Sequence, residues 1–183
     1  RAQVQDFMTK PFSDIMMLLR QQAQARGDAI AVEALDGTAL GYRELHEKAV
    51  AMAQGIAGAV PAGHGRRRPR IGLVLPNGSQ IALALLAASI AGEATPFNPA
   101  SKPAEFDVYF KACGIDALIV REDYDGPAIP IAQKSGLPIL RLTVAGELAG
   151  IKPMPQQLVP PKPHDIALVL MTSGSTGKPK IVP

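Results

Sequence analysis

The chain has 183 residues, 47% hydrophobic and 19% charged, a balance that excludes a disordered or collagen-like protein. Gly and Pro supply 17 residues each, which calls for many turns between short elements, and the lack of Trp with 4% aromatics calls for an aliphatic core. The formal charge is only +3, and its basic excess gathers in Arg66–Arg67–Arg68–Pro69–Arg70, read as a solvated loop; no basic face or stacking platform marks a nucleic-acid partner.

The spacing of Phe12, Ile15, Met16, Leu18, Leu19 and Ala23 predicts a first helix over 12–26, capped by Ser13 or Asp14 and stopped at Gly27–Asp28. Two short strands follow over 29–35 and 38–41, joined by an Asp36–Gly37 turn. Residues 42–59 carry Leu45, Ala49, Met52, Ala53 and Ile56 at helical spacing. Residues 70–75 form a continuous apolar run, the pattern of a strand buried on both faces. Pro76–Asn77–Gly78–Ser79 breaks the chain before a helix over 80–91. A strand over 93–98 then ends in Pro96, Asn98 and Pro99, residues that set its exit. A helix opened by Ser101 and Pro103 runs to about Cys113, followed by a strand over 116–120, a short helix over 126–134 and a strand over 138–142.

Strand and helix alternate through the middle of the chain, so the expected fold class is α/β, a mostly parallel sheet with helices on both faces. Prolines at 153, 155, 160, 161 and 163 interrupt residues 145–164, expected as an irregular linker, and a strand returns over 166–171. The expected organisation is therefore a βαβ subdomain over 12–144, a Pro-rich linker over 145–164, and a strand with its loop over 165–183. The sequence contains no internal repeat.

Cys113 is the one cysteine, so no disulfide framework or CxxC metal site exists, and a reducing, cytoplasmic setting is expected. His46, His64 and His164 lack ligand spacing. The apolar run 81–91 is too short to cross a bilayer. The chain starts at Arg1 without a signal-peptide pattern, and a processed or truncated start is expected.

The chemistry gathers in 172–180, where an apolar strand feeds Thr172, Ser173, Gly174, Ser175, Thr176, Gly177, Lys178, Pro179 and Lys180. Glycines let backbone N–H groups turn toward an anion, hydroxyls add donors, and two lysines add charge, a donor set suited to a polyphosphate. The spacing is GxxGK with Pro after the lysine, so it is no Walker A loop, which needs GxxxxGK followed by Ser or Thr. Gly63-x-Gly65 opens no helix and makes no dinucleotide fingerprint.

TSGSTGKPK after an apolar strand resembles the phosphate-loop signature of the adenylate-forming superfamily: acyl-CoA synthetases, firefly-type luciferases and nonribosomal adenylation domains. Upstream segments agree in order. Leu40–Leu45 resembles the family's TYxEL helix entry, Ile71–Asn77 its strand ending in LPN, Ala87–Pro99 its segment ending in PlNP, and Phe106–Val120 the stretch after it. The resemblance runs over about 12–183. The family usually has Gly where this chain has Ile181; Ile181–Val182–Pro183 resembles a subset of bacterial acyl-CoA ligases.

The resemblance implies part of the large N-terminal domain of an adenylate-forming enzyme, most like a bacterial acyl-CoA synthetase. It implies ATP and Mg2+ with a small-molecule carboxylate, giving an acyl-adenylate, and then CoA as the thiol acceptor. Thr172, Ser173, Ser175, Thr176 and Lys178 would touch phosphate, Gly174 and Gly177 would allow close approach, and Lys180 would support the loop. No catalytic residue is expected within this stretch, and most of the acyl pocket is expected downstream of Pro183, so this chain alone is expected to be inactive. An amino-acid adenylation domain, a non-catalytic nucleotide- or protein-binding module, and a homodimer stay open.

Overall fold

The computed structural model describes residues 14–34, 37–60, 63, 68–172 and 180–183. Helix α1 (Ile15–Arg26) starts where the Asp14 carboxylate accepts the Met17 N–H at 2.7 Å, so Asp14 is its cap. Strands β1 (Ile30–Glu33) and β2 (Ala39–Gly41) pair antiparallel. Gly37 stands at φ +83° in the turn between them, a region glycine enters freely, while Asp36 lies outside the described residues. Helix α2 (Tyr42–Ala59) buries Leu45, Ala49, Met52, Ala53 and Ile56, the stripe its periodicity predicts.

The βαβ prediction is met. Among the described residues, β3 (Arg70–Val74), β4 (Glu93–Pro96), β5 (Ala117–Arg121) and β6 (Ile139–Leu142) form a parallel sheet in the order β4-β3-β5-β6. The crossovers are α3 (Ser79–Ala91), α4 (Pro103–Cys113) and α5 (Ala128–Lys134). Side chains alternate along β5: Ala117 and Ile119 join a core with α2 and α3, while Leu118 and Val120 join a second core with α4 and α5. Helices thus cover both faces, which is why the inner strands β3 and β5 read as nearly unbroken apolar runs. The first core is aliphatic as expected. The second is not, because Phe97, Phe106 and Phe110 pack at tilted ring angles within it, at centroid distances of 5.3 and 5.4 Å.

One expectation needs correction. The basic run is not simply a solvated loop: Arg68 and Arg70 are only 16% and 15% exposed, and both are hydrogen-bonded. Arg66 and Arg67 lie outside the described residues. The Pro-rich segment is irregular, as expected, and parts of it are anchored on the core. Leu148 is buried, Ile151 and Leu158 pack on the first core, and Pro155–Gln157 form a 3-10 turn. Gly55 and Gly58 of α2 make the room: a Cβ at Gly55 would lie 3.2 Å from Leu148, and one at Gly58 2.7 Å from the Met154 sulfur.

Candidate functional site

In an open parallel sheet the strands point one way, and ligand crevices open at their carboxyl ends where neighbouring connections diverge. Here β3 leads outward to β4 and β5 leads the other way to β6, so the divergence lies between the ends of β3 and β5. Pro76–Asn77–Gly78 and Glu122–Asp123–Tyr124 leave the sheet there. Beside them β4 ends at Pro96, and the Asn98 side-chain oxygen accepts the Ala100 N–H at 3.0 Å, closing the turn predicted at this exit.

The chain returns along the outer edge of β4. The Ala94 N–H donates to the Ala167 carbonyl at 2.9 Å, and the Val169 N–H donates to the Ala94 carbonyl at 2.8 Å, so Leu168 sits parallel beside Ala94. The Ser89 hydroxyl of α3 donates to the same Ala167 carbonyl at 2.9 Å. The strand read over 166–171 is thus two pieces: this one-residue bridge, then β7 (Leu170–Thr172), which turns away to pair antiparallel with β8 (Lys180–Val182). The break has a packing cause: Leu168 packs on the first core, Met171 on the second, and Leu170 between them is exposed.

This hairpin brings Thr172 and Lys180, the ends of the predicted phosphate loop, into a register pair. Partners in such a pair stand about 4.5–5.5 Å apart at Cα. Lys180 is exposed, as is all of β8. Ser173, Gly174, Ser175, Thr176, Gly177 and Lys178 lie outside the described residues.

Cations at the other strand ends are already engaged. Arg121 pairs with Asp123, and the Arg141 guanidinium donates to the Glu122 carbonyl at 3.3 Å and to that of Tyr124. Burial pushes the Cys113 thiol above its ordinary value, with Arg70 opposing, so it is no ready nucleophile. A cavity of about 390 Å³ lies between α2 and residues 146–153, but Lys48 at its wall is bound to Glu44 and to the Ala145 carbonyl, each at 3.0 Å. Among the described residues no group of three or more His, Cys, Asp or Glu could hold a metal ion, and no helix is long and apolar enough to cross a membrane.

Sequence reasoning missed Ser89 and Arg68 as anchors of the returning strand. The available signal was a hydroxyl inside the apolar run 81–91 and an arginine just before a buried strand.

The AMP-binding enzyme family model matches residues 19–183. A hybrid PKS-NRPS synthetase, pynA of Aspergillus niger, is 28% identical over 177 residues, covering 95% of this chain and 4% of that protein. Among solved structures, apo MbtA of Mycobacterium smegmatis is 28% identical with a TM-score of 0.73, covering 100% of this chain and 36% of its own. A long-chain-fatty-acid-CoA ligase (FadD1) of Archaeoglobus fulgidus has a TM-score of 0.74 at 21% identity, covering 94% of this chain and 36% of its own. The chain therefore spans about a third of these solved structures and a small part of the synthetase.

Proposed function

The chain belongs to the AMP-binding enzyme family, and from that membership we propose that it carries the phosphate-holding part of an acyl-CoA synthetase. The reaction is activation of a small-molecule carboxylic acid with ATP to an acyl-adenylate, followed by transfer of the acyl group to the thiol of CoA. The observation that carries the reading is the pairing of Thr172 with Lys180 on a hairpin that extends the returning strand past the carboxyl end of β4.

The hydroxyls of Thr172, Ser173, Ser175 and Thr176 and the Lys178 ammonium would hold the β and γ phosphates, with Lys180 at the base of the loop. Gly174 and Gly177 would leave the backbone N–H groups open to the anion. A carboxylate oxygen attacks the α-phosphorus and the bond to pyrophosphate breaks, so negative charge grows on the group this loop cradles. A carboxylate is already a nucleophile, so this step asks no base of the chain. In the second step the thiol gives its proton to solvent, its sulfur bonds to the acyl carbon, and AMP departs, carrying the electron pair of the broken bond. The described residues gather no ligand set for Mg2+, and no step is assigned to the metal.

In the full-length protein, Thr176→Ala and Lys178→Ala each lower carboxylate-dependent ATP–pyrophosphate exchange by about 100-fold, the scale of losing one donor to developing charge. Thioester formation from preformed acyl-adenylate changes far less. Unchanged exchange in both variants refutes the assignment.

The 28% identity to the hybrid synthetase favours a second reading, in which the acceptor thiol belongs to a carrier domain rather than CoA. Acyl transfer to free CoA, or its absence when only CoA is offered, separates the two.

A further inference from the structure

We propose that Arg68 is a positioning residue for the nucleotide site, clamping the Pro-rich segment to the end of α3 and so setting where β7 enters its hairpin; this rests on the phosphate-loop reading of 172–180. The Arg68 guanidinium donates to the carbonyls of Ser89 (3.4 Å) and Ile90 (2.5 Å) in the last turn of α3. It donates also to the Val159 carbonyl at 3.1 Å, and its Nε stands 3.7 Å from the Asp165 carboxylate. The same Asp165 oxygen accepts the Lys162 N–H at 2.9 Å, which holds its own turn closed. One side chain thus joins a helix terminus to both ends of residues 159–165.

The chemistry suits arginine. The last carbonyls of a helix lack intrahelical partners and carry partial negative charge, and a planar guanidinium offers five donors in a fixed fork. A lysine offers a point charge and cannot span the same set of acceptors. Partial burial pushes the Arg68 guanidinium below its usual range, with Asp165 and then Glu93 pulling it back.

The clamp reaches the site through a short run of chain. Two residues past Asp165, the Ala167 carbonyl is held by Ser89 and by Ala94, and Val169 is held by Ala94. β7 begins at the next residue. From Asp165 to Val169 the backbone is therefore tied to α3 and β4, with Arg68 as the charged tie at its start. Loosening that tie leaves the start of this run held only by the Ser89 and Ala94 bonds, and a shift of up to about 1 Å at a positioning element is enough to cost about 100-fold in rate.

The test uses the full-length protein with Arg68→Met, Arg68→Lys and Asp165→Asn. Amide hydrogen exchange followed by mass spectrometry is expected to show faster uptake over 159–172 in all three, with β5 unchanged and the lysine variant mildest. In carboxylate-dependent pyrophosphate exchange, the KM for ATP is expected to rise about 10-fold in Arg68→Met while the KM for the carboxylate stays put. A purely structural role would raise both or neither. Unchanged uptake over 159–172 overturns the clamp. Faster uptake with an unchanged KM for ATP overturns the positioning role. If the wild-type protein shows no carboxylate-dependent exchange at all, the functional reading and the nucleotide role fall together, and the uptake data alone decide whether the clamp exists.

Discussion

Replacing Glu93 by Gln leaves the Arg70 guanidinium without its counter-ion where water barely reaches: the two side chains are 15% and 3% exposed, Arg70 first. Nε and Nη2 of Arg70 donate to one Glu93 oxygen at 2.8 and 2.6 Å, and Nη1 donates to the Cys113 carbonyl. The Asp116 carboxylate accepts the Arg70 backbone N–H at 2.7 Å. Breaking a buried pair from one side costs about 3–5 kcal/mol. The Cys113 carbonyl and the Asp116 carboxylate remain beside Arg70, which places the loss near about 3 kcal/mol. For a domain of this size each kcal/mol is worth about 2–4 °C, so Tm falls by about 6–12 °C. The double variant Arg70→Met/Glu93→Leu removes both charges and returns to within about 1 kcal/mol of wild type. Urea unfolding followed by circular dichroism, with thermal melts alongside, measures Glu93→Gln, Arg70→Met, Glu93→Leu and the double variant. A Glu93→Gln loss under about 0.5 kcal/mol, or a double variant that loses the sum of its singles, refutes the reasoning.

Gly92→Ala puts a Cβ 2.0 Å from the Pro69 carbonyl oxygen, which accepts the Glu93 N–H at 2.8 Å, so it costs about 3 kcal/mol in the same unfolding assay. Burial lowers the His46 pKa from its ordinary 6.5, with Glu47 opposing and Arg20 adding. The unfolded chain then binds a proton the folded chain resists, so stability falls as pH drops below 6.5. His46→Gln flattens that slope in melts between about pH 5 and about pH 8. Cys113 is 1% exposed and its thiol is raised by burial, so a thiol alkylating agent at neutral pH labels it only after denaturant is added. Rapid labelling of the native protein contradicts this.

Helix α2 was legible because five apolar residues at helical spacing can share only one face, and β5 because burial on both sides leaves no polar alternation. The candidate loop over 172–180 was read from its string of hydroxyls, glycines and lysines; the structure pairs its two ends, Thr172 and Lys180, and the residues between them lie outside those described. What escaped was tertiary. Arg68 and Arg70 sit in a run that looks solvated, and only the fold brings α3's carbonyls to one and Glu93 to the other. Glu93 gave a hint, as a lone acid opening an apolar strand. The apolar residues between the prolines gave another: Leu148, Ile151 and Leu158 have no local period, because they pack in a groove whose shape belongs to α2.

That groove explains why the Pro-rich segment exists. β6 lies at one edge of the sheet and Leu168 lies beyond β4 at the other. The chain must therefore pass four strand spacings of about 4.8 Å, roughly 19 Å in all, and arrive parallel. Parallel strands are usually joined across a helix. Here the crossing has no α-helix; a turn through Gly146 pairs Leu148 with Leu142, and the chain then lies in the notch that Gly55 and Gly58 leave on α2. An unsupported extended chain would wander and lose entropy on ordering, whereas prolines fix φ in advance and cost less to order. The same prolines cannot donate backbone hydrogen bonds, so the segment has few ladder bonds of its own to hold it down. Side chains must anchor it instead. Apolar residues do so along α2, and at the point of arrival beside β4 the anchors are Arg68 on Val159 and Asp165 and Ser89 on Ala167.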